Sequence, residues 1–136
     1  NCEKSYEPIQ TYSEKNVIMI KDVKNFNFDS IQFVSFYVNS FEIDETIDII
    51  KFNVSYSGGC RNHQFSLYST YGILYSNPAG CLVYLSHNAN GDNCEKLINQ
   101  TIIFNLKPLH HSGSDALILH LHAFKEKSIG TIWYRF

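Results

Sequence analysis

The run from Thr46 to Tyr56 alternates. Ile50, Phe52, Val54 and Tyr56 fall on one side, and Lys51, Asn53 and Ser55 on the other. A period of two is the repeat of a strand with one dry face and one wet face. The pattern recurs along the chain. His63–Ser69 places His63, Phe65 and Leu67 on one face, with His63 at the core margin, and Cys81–His87 reads as another strand. Asp115–Phe124 sets Leu117, Leu119 and Leu121 against Ile118, His120 and His122. Ser128–Phe136 sets Ile132, Tyr134 and Phe136 against Ile129 and Trp133. Lys96–Leu106 carries Ile98, Ile102, Phe104 and Leu106, and Pro108 ends it. Val17–Ile20 is a short strand, and Ile31–Val38 is apolar on both faces, which predicts a strand covered on both sides.

Turn chemistry separates these runs at Ser57-Gly58-Gly59, Tyr71-Gly72, Asn77-Pro78-Ala79-Gly80, Asn88–Asn93 and Lys125-Glu126-Lys127. The acidic stretch Glu42–Asp48 reads as a solvated loop. About eight or nine short strands at roughly 8–12-residue spacing predict an all-β chain, an antiparallel, immunoglobulin-like β-sandwich. The aromatic share of 15% agrees, because aromatic and β-branched residues suit a pleated surface. With 136 residues, one domain over 1–136 is expected, with 1–15 as an extended N-terminal arm.

Charge excludes one class of partner. The net charge is -2 and the charges are interspersed, so no basic block exists to neutralise a phosphate backbone, and nucleic acid is not expected. No apolar run approaches the ~20 residues that span a bilayer.

Four cysteines in a β-rich chain of this size fit an oxidising, extracytoplasmic setting; four buried thiols in a reducing compartment is the alternative. Of the three pairings, Cys60–Cys94 is favoured, because both residues lie in Gly-rich turns where backbones can approach closely. Cys2–Cys81 is the pair left over. Cys2 is also the position where a lipid anchor would attach, although Asn1 precedes it and a mature lipoprotein begins at its cysteine.

Several residue sets could carry chemistry. Cys60, His63, His87 and Cys94 offer two sulfur and two imidazole ligands, a set that zinc accepts, but a thiolate ligand cannot also be half of a disulfide. His120 and His122 share a strand face and would need a third ligand from His110 or His111. Asn90, Asp92 and Glu95 could offer oxygens to calcium, yet the run lacks the alternating acidic ligands of an EF-hand loop. No Gly-x-Ser-x-Gly elbow, His-Glu-x-x-His or P-loop is present. No catalytic residue, cofactor or metal is therefore assigned. Asn53-Val54-Ser55 and Asn99-Gln100-Thr101 match the glycosylation sequon, which matters only in a eukaryotic secretory pathway.

The segment Ser57-Gly58-Gly59-Cys60-x-x-His63-x-Phe65-x-Leu67, followed by Gly91-Asp92-x-Cys94-Glu95, resembles small exported proteins of Bacteroidetes-type bacteria, many described only as lipoproteins. Its Gly-Gly…His-x-Phe core is similar, more distantly, to the C-terminal β-sandwich domain of NigD-like proteins. The likeness covers roughly residues 47–106. NigD-like proteins carry an additional N-terminal barrel, for which this chain has no room. The resemblance implies a cell-envelope β-sandwich of unestablished activity and carries over no catalytic residues. The expected function is thus a non-enzymatic, exported module that binds a protein or glycan at the cell envelope, with membrane attachment only through a lipid. The competing expectation is a metal-binding protein or small hydrolase built on the histidines.

Overall fold

The computed structural model describes residues 15–22, 24–31, 33–74 (71–74 as backbone only), 79–110, 115–123 and 128–136. The described residues form nine strands: β1 (Lys15–Asn16), β2 (Ile18–Ile20), β3 (Tyr37–Asp44), β4 (Ile49–Gly58), β5 (Gln64–Leu74), β6 (Gly80–Asn88), β7 (Lys96–Asn105), β8 (Ala116–Ala123) and β9 (Ser128–Arg135). They build a four-stranded sheet ordered β1-β7-β4-β3 and a five-stranded sheet ordered β2-β5-β6-β8-β9. The described residues contain no α-helix, only two single-turn 3₁₀ segments.

Both sheets bury one face against a shared core. From the four-stranded sheet come Ile50, Phe52, Val54, Tyr56 and Phe104. From the other come Phe65, Leu67, Val83, Leu85, Leu117, Leu119, Leu121 and Tyr134. These are the inward sets that the alternation predicts on β4, β5, β8 and β9. Alternation makes each strand two-faced, and burying the apolar faces against one another is the cheapest way to remove them from water.

The sheets are mixed, which corrects the expectation of an antiparallel sandwich. β1 runs parallel to β7, β2 to β5 and β6 to β8. The reason is that the chain changes sheets at its turns. β4 leads into β5 and β6 into β7, each time across the sandwich, so β8 returns beside β6 in the same direction. Turn residues show where a strand ends and leave open which sheet the next one joins. Asn88–Asn93 is accordingly a crossing and not a hairpin, although Asn90 and Gly91 do adopt the positive φ their types favour.

Other expectations shift locally. Ile31–Val38 is not one strand. β3 starts only at Tyr37, and Phe33 makes an isolated parallel bridge to His87. Glu42 and Asp44 belong to β3, and only 45–48 turn, so the acidic stretch is a hairpin tip rather than a loop. Tyr71-Gly72 does not end β5, whose pairing with β6 instead shifts register between Ser69 and Ile73. The arm over residues 1–14, the turn residues Asn77-Pro78 and Lys125–Lys127, and His111 lie outside the described residues.

Candidate functional site

Three crossings between the sheets meet at one end of the sandwich: Phe33–Phe36 before β3, Gly59–His63 after β4, and Ala89–Glu95 after β6. The residues singled out in the sequence converge there. Cys60 and Cys94 are joined by a disulfide, with Cα atoms 5.9 Å apart. Cys2, the expected partner of Cys81, lies outside the described residues. Cys81 is a buried thiol whose sulfur meets Ser69 Oγ at 2.9 Å, and burial pushes its pKa up.

Beside the disulfide runs a chain of buried polar groups. Asp92 Oδ2 lies 2.8 Å from His63 Nε2, His63 Nδ1 lies 2.8 Å from His87 Nε2, and His87 Nδ1 lies 2.9 Å from the Val34 carbonyl oxygen. The His63 and Asp92 side chains are 1% and 0% exposed, and His87 is fully buried. His87 stacks on Phe65 with ring centroids 4.4 Å apart, and Tyr56 and Phe36 close the other sides.

Both ends of this chain are acceptors. Val34 offers only an acceptor. Asp92 is held as a carboxylate, because it also accepts the backbone N–H groups of Cys60 and Arg61 at Oδ2 and of Cys94 at Oδ1. Each ring bridges its two neighbours through both nitrogens, so the histidine pair links the carboxylate to the Val34 carbonyl without a break. The carboxyl of Asp92 is held well below its usual range, first by the His63 bond and then by the three backbone donors, while burial pulls the other way. His87 has its pKa lowered, chiefly by burial and further by the charge on His63. The carboxylate is thus buried with every donor it needs in place, which is the condition under which a buried charge is tolerated.

Gly58 and Gly59 serve this corner in different ways. A Cβ on Gly58 would stand 2.7 Å from His63 Nε2, so glycine is what lets β4 pass the ion pair. Gly59 takes φ +113°, which turns the chain from β4 toward Cys60.

The sulfur–imidazole set of Cys60, His63, His87 and Cys94 is thus brought together, but as a disulfide beside a histidine pair whose four ring nitrogens are all engaged. Asp92 is the member that sequence reasoning placed elsewhere, as an oxygen donor with Asn90 and Glu95. Asn90 instead donates its side-chain amide to the Asn62 carbonyl, and Glu95 is exposed. His120 and His122 share the half-buried outer face of β8, and among the described residues no third ligand joins them. His110 sits at the opposite end. Its Nε2 lies 2.5 Å from the Tyr134 hydroxyl, which in turn donates to Asp48 Oδ1 at 2.7 Å. Burial, then the bond to Asp48, pushes the Tyr134 pKa far above its ordinary value.

No family model and no curated protein matches the chain. Solved structures do. A protein of unknown function, DUF1344, from Bacteroides vulgatus superposes with a TM-score of 0.61 at 12% identity, over 92% of this chain and 57% of that one. A NigD-like immunity protein from Bacteroides caccae gives 0.63 at 12% identity, over 89% and 64%. A toxin-related protein from Parabacteroides distasonis gives 0.54 at 15%, over 90% and 60%. The chain spans about three-fifths of the length of these structures. At such identities the likeness is one of fold, and this chain shares its fold with a group of Bacteroides and Parabacteroides proteins that includes a NigD-like immunity protein.

Proposed function

We propose that the chain is a non-enzymatic, exported β-sandwich domain of the cell envelope that binds a protein partner. The observation that carries this reading is the outer face of the four-stranded sheet. Tyr37 on β3 and Leu97 on β7 are 72% and 69% exposed there. Between them runs a neutral hydrogen-bonded ladder. Asn39 Nδ2 donates to Asn53 Oδ1 at 2.8 Å and to Ser55 Oγ at 2.7 Å, and Ser55 Oγ donates to Asn99 Oδ1. Large apolar side chains around an ordered, uncharged polar strip supply contact area without a charge to desolvate. The fold shared with an immunity protein supports a protein as the partner. The buried state of His63, His87 and Asp92 supports a non-enzymatic role, since each group is consumed within the fold.

The disulfide supports an extracytoplasmic location, and membrane attachment would come only through a lipid on Cys2. Site-specific photo-crosslinking tests the proposal. A benzoylphenylalanine at Tyr37 or Leu97 should yield one protein adduct from the native envelope, and one at Lys107 should not. Adducts of equal yield at all three positions, or capture of glycan alone, would refute it.

A further inference from the structure

We propose that reducing the Cys60–Cys94 disulfide turns this corner into a metal site, in which two thiolates and the Asp92 carboxylate bind one zinc ion. The two sulfurs and a carboxylate oxygen of Asp92 already lie within 4.8 Å of one another. The cysteine backbones are held by more than the S–S bond. Asp92 accepts from the backbone of Cys60 at 3.1 Å, of Arg61 at 3.0 Å and of Cys94 at 2.9 Å, so one carboxylate clasps both cysteine segments. His63, behind it, adds a fourth hydrogen bond. None of the four is made by a sulfur atom.

The geometry leaves room for the change. Tetrahedral zinc with Zn–S distances of about 2.3 Å needs its two sulfurs roughly 3.8 Å apart. Cys60 lies in the bend after β4 and Cys94 in the irregular run before β7, so neither is tied into a strand ladder. Cys60 is exposed, which leaves the fourth position open to water. His63 would then act as the group behind a ligating carboxylate, orienting it by the Nε2–H bond.

The chemistry balances with a dithiol as reductant. The dithiol gives two electrons and two protons and closes to its own disulfide, the Cys60–Cys94 bond breaks, and two thiols result. Zinc then displaces those two protons. Without a cation, two thiolates would crowd a fixed carboxylate, and a divalent ion relieves that repulsion. The oxidised form has no thiolate to offer, so binding is gated by redox state.

The test compares oxidised protein with protein reduced by a dithiol, desalted without oxygen, loaded with zinc and desalted again. Elemental analysis should find about one zinc per reduced chain and none per oxidised chain. Bound zinc should protect Cys60 and Cys94 from alkylation, read peptide by peptide in a mass spectrometer, and cobalt in its place should show thiolate-to-metal charge transfer. Cys81→Ala should leave these readouts unchanged. Circular dichroism confirms that the reduced chain stays folded. Substoichiometric zinc on folded reduced protein, collapse of the fold on reduction, or zinc retained by the Cys60→Ser/Cys94→Ser variant would each overturn the proposal.

Discussion

At Asp92 four donors converge on one carboxylate: the His63 ring and three backbone N–H groups from two separate crossings. Its folded pKa lies below its unfolded one, so the unfolded chain takes up the proton first as pH falls. The stability it supplies is complete above the unfolded value of about 3.9 and is lost below it. His87 has the same sign. Its folded pKa is depressed, so its contribution is complete above about pH 6.5 and declines as the unfolded histidine protonates. Thermal melts between pH 8 and 3 should therefore show a first loss starting near 6.5 and a second starting near 4. The variant His87→Gln should blunt the first and spare the second. A flat melting temperature from pH 8 to 5 would contradict the buried, neutral assignment of His87. Gly58→Ala is a second test at this scale. The added methyl stands 2.7 Å from His63 Nε2 and 3.1 Å from Asp92 Oδ2, in a site with no slack. Overpacking of this kind costs roughly 1–3 kcal/mol, which denaturant titration would read as a lower midpoint with an unchanged slope.

At the scale of elements, the disulfide ties two connections together, and the histidine pair ties one of them to the end of β6. The two connections are the β4–β5 crossing and the β6–β7 crossing, and His87 brings in the segment before β3. The bond spans a sequence separation of 34, for which the chain-entropy model gives about 4 kcal/mol. Cys60→Ser should lower the melting temperature by many degrees and leave metal content at zero in oxidised preparations. An unchanged melting point would show that the bond adds nothing. The opposite end has its own tie, Asp48–Tyr134–His110, which fastens β9 to the β3–β4 tip and to the segment after β7. Tyr134→Phe deletes the central hydroxyl and both of its hydrogen bonds, at a cost of about 1–3 kcal/mol. It should leave the acid profile of the His63–Asp92 corner untouched, because the two ties sit at opposite ends of β4.

Across the whole molecule, two sheets close on a core rich in rings. Phe52, Phe104 and Tyr134 are among the largest fully buried side chains. Phe52 meets Phe104 and the half-buried Phe41 at 6.2 and 6.5 Å. Phe52→Ala should destabilise the chain by about 3–5 kcal/mol, measured by chemical denaturation, whereas Tyr37→Ala on the outer face should change stability by under ~0.5 kcal/mol. Those inward faces were legible residue by residue, since alternation is local and burial follows it. The positions of Gly58-Gly59 and Asn90-Gly91 likewise marked the breaks correctly, because positive φ and close approach favour few residue types.

By itself the sequence determined that the chain is all-β, which side of most strands is dry, and that two cysteines lie in turns. It left open which sheet each strand joins, because a turn's local chemistry is the same for a hairpin and for a crossing. Only the tertiary structure decided that β6 and β8 run parallel, that 33–36 is a connector lying against His87, and that Asp92 faces His63 from 29 residues away. Those are long-range pairings, set by how two sheets pack and by the need to neutralise buried charge, and no window of neighbouring residues contains them.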